Sequence, residues 1–331
     1  MFKKPLDIVA IGDTTTDAFI RLKDAHVTCK VNTNDCEICM PFGDKIPFEY
    51  VKVVKAVGNA ANAAVSGARL GLRSALVTNL GGDQGGKDDM AELQKNAVIT
   101  SYIKIHPNKP SNYHFVLWYD VDRTILVKHT DYDYKLPAFP APKWIYLTSL
   151  ASTTYDYHMM IADYLEKNPT VRLAFQPGTF QMELGFEKLE RIYKKTDFLV
   201  VNVEEAQRML KTKTRDIKAL IKNLADYGPK MVAITDNTSG AYLYTGEHYY
   251  HVPMYPDPRP AFERTGCGDA WASTFISALA LGKDPLEALI WAPVNPMSVA
   301  QFIGAQEGLL TREQLEWWLN RAPEEYRVKE I

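Results

Sequence analysis

The stretch Phe262-Glu-Arg-Thr-Gly-Cys-Gly-Asp-Ala-Trp271 opens a segment rich in Ala, Ser, Phe and Ile. Gly266 and Gly268 allow the backbone to turn tightly and leave its N–H groups unshielded. The apolar spacing over Asp269–Leu281 predicts a helix that starts at this turn. Amides at a helix start, together with the macrodipole behind them, form a site for a phosphate's negative charge. Asp269 stands in the first turn, a carboxylate beside that anion site. Such a group can take the proton of a hydroxyl as it attacks a phosphoryl group, a reaction that asks mostly for positioning and charge stabilisation. Read for structure alone, the same residues are a turn and a helix cap.

Working outward, a second long helical pattern covers Pro285–Phe302. Upstream, the apolar runs Trp144–Leu147, Val171–Phe175, Asp197–Val201 and Met231–Thr235 alternate with helical patterns. Nearer the start lie a short run over Asp7–Gly12 and a strand over Ser74–Leu80, with helices over Gly58–Leu72 and Gln84–Asn96. Repeated strand–helix units predict a mostly parallel sheet covered by helices on both faces. Two strand-rich insertions, approximately 14–50 and 98–130, are expected to pair as a small β-sheet standing off the main sheet. The chain, 1–331, reads as one α/β domain carrying these insertions.

With 331 residues, 46% hydrophobic and 24% charged, the chain has the make-up of a globular protein with one large core. Its 38 basic and 40 acidic residues lack the basic excess of a nucleic-acid-binding surface. Behind two N-terminal lysines the apolar stretch Ile8–Ile11 is too short for a secretory leader. No segment approaches the roughly 18 apolar residues of a membrane span, so a cytoplasmic location is expected. Four cysteines do not make a disulfide scaffold. His26, Cys29, Cys36 and Cys39 have a spacing that a zinc knuckle could use. The competing reading is a short strand over Cys36–Cys39 with reduced thiols acting as small apolar side chains. Positions three apart on a strand face opposite sides, which argues against joint ligation. No Gly-x-Gly-x-x-Gly follows the first strand, and no Gly-x-x-x-x-Gly-Lys-Ser/Thr occurs, which speaks against a NAD-dependent oxidoreductase and a P-loop NTPase.

Thr265-Gly266-Cys267-Gly268-Asp269 resembles the C-terminal motif of the ribokinase, or PfkB, carbohydrate kinase family, usually Asp-Thr-x-Gly-Ala-Gly-Asp. Further matches fall in order along roughly residues 7–318. Gly12 and Asp17 resemble the first-strand pattern whose Asp holds sugar hydroxyls. Asn59-Ala-Ala-Asn62, running into Gly67-Ala-Arg-Leu-Gly71, resembles the family's Gly-Gly-x-Gly-Ala-Asn helix start. Gly81-Gly-Asp83-Gln-Gly-Gly86 resembles Gly-x-Asp-x-x-Gly, and Arg123-Thr-Ile125 a lid strand. Asn202-Val-Glu-Glu205 is similar to Asn-x-x-Glu, Thr235 and Gly240 to the nucleotide strand, and Gly304-Ala-Gln306 to the Gly-Ala near the adenine.

The resemblance implies a ribokinase-like three-layer α/β/α sandwich with a small β-sheet lid, and an ATP-dependent kinase acting on a primary hydroxyl of a small sugar or sugar acid. It implies Asp269 as general base and the amides of Gly266, Cys267 and Gly268 as anion hole. Asp17, Gly58, Asn59, Asn62 and Arg123 would then meet the acceptor. Asn202, Glu205, Thr235, Asn237, Gly240, Arg264 and Asn295 would meet ATP, with Glu205 holding Mg²⁺ through water. Read for structure alone, Asn202 and Glu205 are a helix cap and its capping-box partner. Tyr113, Phe115, Trp118 and Tyr119 are lid aromatics that would stack on a ring or else pack in a core or dimer contact.

Glu263 replaces the Asp that shapes a K⁺ loop in relatives, which puts K⁺ in question. Val57 and Ala60 replace glycines, which speaks against ribose itself. Pro293 stands where many relatives have Asn near the adenine, with Asn295 two residues on as a substitute. The Cys267 thiol is expected to fill space as a small apolar group, and would be open to oxidation if exposed. Nucleoside kinase is the nearest rival within this fold, and a catalytically silent sugar- or nucleotide-binding regulator the next. A homodimer through the lid sheets is also expected from relatives.

Overall fold

The computed structural model describes residues 5–29, 36–119 and 122–331. The lysine pair at Lys3 and Lys4, and parts of both predicted insertions, lie outside the described residues. In spatial order the main sheet runs Lys329–Glu330, Tyr249–Val252, Ala241–Tyr244, Met231–Thr235, Thr196–Asn202, Arg172–Phe175, Trp144–Leu147, Ile8–Ile11 and Ser74–Val77. The six strands from Met231–Thr235 to Ser74–Val77 are mutually parallel, and the other three pair antiparallel.

Alternation along each parallel strand divides the core between two faces. Ile8 and Ala10 join Trp144, Tyr146, Phe198 and Phe275 on one side, under the helices Asn59–Arg69 and Cys267–Ala280. Val9 and Ile11 join Ile145, Leu147, Phe175 and Leu199 on the other, under Tyr155–Lys167 and Ile217–Ala225. A sheet buried on both sides explains why its strands read as unbroken apolar runs.

Strands from the two insertions meet in one small sheet. Thr15–Leu22 lies between Phe48–Val57, antiparallel, and Tyr113–Tyr119, parallel, and Asp122–Leu126 completes a four-stranded sheet. Lys104–His106, inside the second insertion, pairs instead with Asn79–Gly81. The single strand predicted over Ser74–Leu80 is therefore two, one in the main sheet and one outside it. The helix predicted over Pro285–Phe302 is likewise two, Pro285–Trp291 and Val294–Val299. Pro293, the N-cap of the second helix, lacks the N–H that would continue the first, and its ring would collide with the carbonyl four residues back; Pro296 sits in the first turn, where no N–H is needed.

The reading of reduced thiols in the first insertion needs correction. His26–Cys29 and Cys36–Cys39 form a hairpin in which Cys29 faces Cys36 and His26 faces Cys39. Cys29 and Cys36 are joined as a disulfide. Zinc finds no support in this arrangement, because the two facing pairs sit three residues apart along the strands and hence on opposite sides. No group of three metal-ligating side chains occurs among the described residues. No helix among them is long and apolar enough to cross a membrane.

Candidate active site

A cavity of about 550 Å³ opens where the parallel strands end, roofed by the small sheet. Asp13, Ser149, Gln176, Asn202 and Thr235 line it, each at or just past the C-terminal end of a parallel strand. Ligand sites of open α/β sheets gather at such ends. From the lid, Asp17, Phe19, His114, Arg123, Ile125 and Val127 close the opposite wall.

Into this cavity points the N-terminus of the helix Cys267–Ala280. Its cap, Gly266, has φ 81°, and a Cβ there would come within 2.2 Å of the Ala305 side chain. Only glycine fits so close an approach. Gly268 has nothing within 4 Å of its would-be Cβ, so its backbone is open to a ligand. The Cys267 amide is a different matter: it donates to the Arg264 carbonyl at 3.3 Å, and this corrects its place in the expected anion hole. The early-turn amides of Gly268 and Asp269 precede the first intrahelical bond, made by Ala270 to the Gly266 carbonyl at 2.8 Å. The Cys267 thiol points away from the cavity, donating to the Pro296 carbonyl at 3.7 Å. Burial pushes its pKa up to about 12.

Asp269 is only 9% exposed. Asn62 Nδ2 donates to its Oδ2 at 2.8 Å, and Gln176 Nε2 to its Oδ1 at 3.2 Å. Burial pushes its pKa up to about 6, against the pull of these two amides and of the Arg123 charge, while the Asp17 charge adds to the rise. Arg264 also lines the cavity, so two guanidinium groups share it with the buried Asp269 carboxylate.

Asn202 and Glu205 make a reciprocal cap: the Glu205 amide donates to Asn202 Oδ1 at 2.7 Å, and the Asn202 amide to Glu205 Oε2 at 2.9 Å. The capping box is real, and both residues still line the cavity. Burial raises the Glu205 pKa, and the Asp269 charge adds to it. Gly58, Asn59 and Thr235 line the cavity too. Gly58, with φ 103°, lies where a Cβ would sit 2.7 Å from the Asp13 carbonyl.

Three expected residues lie elsewhere. Asn237 and Gly240, both with positive φ, shape the turn after Met231–Thr235 and are not among the lining residues. Asn295 is fully buried, donating to Thr274 Oγ1 at 2.8 Å and accepting from the Leu310 amide at 2.8 Å, which leaves it no face for a nucleotide. Asp83, too, is structural here: it accepts from Gly86 N and from both the amide and hydroxyl of Ser111.

Several lining residues escape sequence reasoning. Asp13 accepts from Tyr134 Oη at 2.8 Å and lies 3.3 Å from His129 Nδ1. Asp17 lies 3.4 Å from His114 Nδ1. The His114 and His129 rings meet edge to face at 5.4 Å, and Phe180 meets His129 at 6.0 Å. Asp13 and Gln176 were detectable as the first polar residues past a strand end. His114 was hidden among the aromatics of Tyr113–Tyr119, where alternation turns it and Trp118 inward and Tyr113 and Phe115 outward.

The sequence profile of the pfkB family carbohydrate kinases matches residues 50–311. The chain is 26% identical to a nucleoside kinase of Methanothermobacter thermautotrophicus over 260 residues, 77% of this chain and 80% of that one. It is 26% identical to a ribokinase of Bacillus subtilis over 281 residues, 78% and 86% of the two chains. The Arabidopsis thaliana ribokinase complexed with ribose and ATP superposes with TM-score 0.77 at 20% identity, covering 96% of this chain and 99% of that one. A ribokinase-like fold, a profile match across most of the length and kinase relatives agree: the chain belongs to the PfkB family of carbohydrate kinases and is a phosphotransferase with an alcohol acceptor.

Proposed function

We propose that the protein transfers the γ-phosphoryl group of Mg-ATP to a primary hydroxyl of a small neutral polyol, a sugar or the sugar of a nucleoside, with Asp269 as general base. The carrying observation is the buried Asp269 carboxylate, amide-held at a helix N-terminus, in a cavity that also holds Arg123 and Arg264. Asp269 takes the hydroxyl proton as the acceptor oxygen bonds to phosphorus. The amides of Gly268 and Asp269, with the two guanidinium groups, bind the phosphoryl oxygens as charge moves toward the departing diphosphate. Gly58, Asn59, Asn62 and Asp17 position the acceptor.

Asp13 and Asp17 line the cavity, where carboxylates suit the hydroxyls of a neutral polyol. The ring cluster of His114, His129 and Phe180 supports a nucleoside among neutral acceptors, since a base offers flat rings something to stack on. Glu205, whose raised pKa reflects a carboxyl with little solvent and another acid across the cavity, fits a divalent cation. Mg²⁺ bound there through water would neutralise phosphate charge. Glu263 fits a monovalent cation poorly. Its Oε1 accepts from Thr265 N at 2.7 Å and Thr265 Oγ1 at 2.5 Å, and its Oε2 from Gly304 N at 3.2 Å. That carboxylate already ties two loops together, and no step is assigned to K⁺.

The outward face of the lid supports a homodimer of this single-domain chain. Val51, Val53, Phe115 and Leu126 lie together on that face and are 45–51% exposed. Val53→Lys should yield monomer by light scattering if two such faces pair.

The kinase reading is tested by ADP release over pentoses, hexoses, sugar acids and nucleosides, in parent and Asp269→Asn. Turnover by Asp269→Asn at the parent's rate ends the base assignment.

A further inference from the structure

The Asp269 carboxylate is held by two primary amides, and each is oriented by a group behind it. On one side Gln306 Nε2 donates to the backbone carbonyl of Ala56 at 2.7 Å and to Asn62 Oδ1 at 3.0 Å. A carbonyl can only accept, so the Gln306 amino group is fixed facing Ala56. Asn62 must then turn its oxygen to Gln306 and its amino group to Asp269. On the other side the buried Tyr146 hydroxyl donates to Gln176 Oε1, which leaves Gln176 Nε2 for Asp269. Gln306 is itself 5% exposed, in the loop that packs Ala305 against Gly266.

We propose that Gln306 and Gln176 are the positioning residues of a two-jawed amide clamp that fixes the Asp269 carboxylate in one orientation and keeps it ionised. This rests on the general-base reading of Asp269 and adds what holds the base ready. Two donors on the charged form favour it over the protonated form, and neither glutamine is required to touch substrate. The clamp also reaches the base of the lid. Ala56 lies in the lid strand Phe48–Val57, and its amide donates to buried Asp89 Oδ1 at 2.7 Å. The other charged and titratable groups of this cavity are Asp17, His114 and Arg123 from the lid, Asp13 and His129 beside it, Glu205 from the neighbouring helix and Arg264 from the glycine loop, with Tyr146 acting from the sheet.

The test reads Asp269 directly. Protein labelled with ¹³C at the aspartate carboxyls is titrated without nucleotide or metal, and the Asp269 resonance is assigned by its loss in Asp269→Asn. Gln306→Met and Gln176→Met should each raise the Asp269 midpoint by about one unit, the size of one lost bond to a charged group. A purely structural role would lower thermal stability and leave that midpoint in place. An unmoved or lowered midpoint in a folded variant of either glutamine overturns the clamp. Should one variant fail to fold, the other decides. Because no turnover is read, a failed clamp is distinguishable from a failed base assignment, which the ADP assay of Asp269→Asn settles.

Discussion

The floor and the roof of the cavity are built in opposite ways. On the floor, polar groups stand at strand ends or in the first turns of helices and are tied to neighbours: Asp269 to Asn62 and Gln176, Asn202 to Glu205, Asn62 to Gln306. The roof is a four-stranded sheet whose outward side is solvent-exposed. Its hold on the floor includes an ion pair between Lys52 and Glu307 at 2.5 Å and an edge-to-face contact of Trp118 with Phe262 at 5.4 Å. A buried, oriented floor suits a reaction whose geometry must not vary. A roof built as a separate sheet, tied to the floor at its base, suits an acceptor that must enter and leave.

The sharpest way to break this contrast is Asp269→Asn. Turnover should fall by about 10²–10⁴-fold or more while nucleotide affinity, measured by calorimetry, stays near the parent value. A variant that loses both would mean that floor and roof are not separable. Next in size, Asp17→Asn or His114→Ala on the roof should raise the acceptor KM roughly 10- to 100-fold and leave ATP binding unchanged. Equal losses for both ligands would contradict the division of labour.

A pH profile sharpens the floor. Asp269, with its pKa pushed up to about 6, acts as a base only when ionised, so kcat/KM should climb as pH rises through about 6 and then level off. Stability should move the other way. The raised pKa favours the protonated fold below pH 4, and that advantage disappears as pH passes about 6. Asp269→Asn should therefore melt above the parent at pH 8, by up to about 3 kcal/mol, with the gap closing toward pH 4. The smallest effect belongs to the latch. Lys52→Ala removes a half-exposed ion pair and should cost no more than about 1 kcal/mol. Its signature is a faster hydrogen exchange of lid amides with floor amides unchanged.

The same contrast governs what could be read from the sequence. The floor follows from local rules: apolar runs make buried strands, a polar residue follows each, and two glycines open a helix. Asp269, Asn202 and Thr235 are placed by that logic. Asn295 was misplaced because its carboxamide bonds to Thr274 and the Leu310 amide inside the core, partners that no periodicity reports. Cys267 illustrates a finer limit, since its type says nothing of whether its amide faces the ligand or the Arg264 carbonyl. The roof depends on register between strands far apart in sequence. That His114 stands beside Asp17 follows from the parallel pairing of Tyr113–Tyr119 with Thr15–Leu22, which neither segment declares alone. Gln306 and Gln176 escaped for the same reason: an amide's role is set by what it faces across the fold.

The cysteine inside the glycine loop has a practical consequence. Its sulfur is turned toward the Pro296 carbonyl, and burial holds its pKa well above the usual thiol value, which disfavours the thiolate that electrophiles and peroxide attack. Alkylating probes should therefore react more slowly in this loop than at an ordinary exposed thiol.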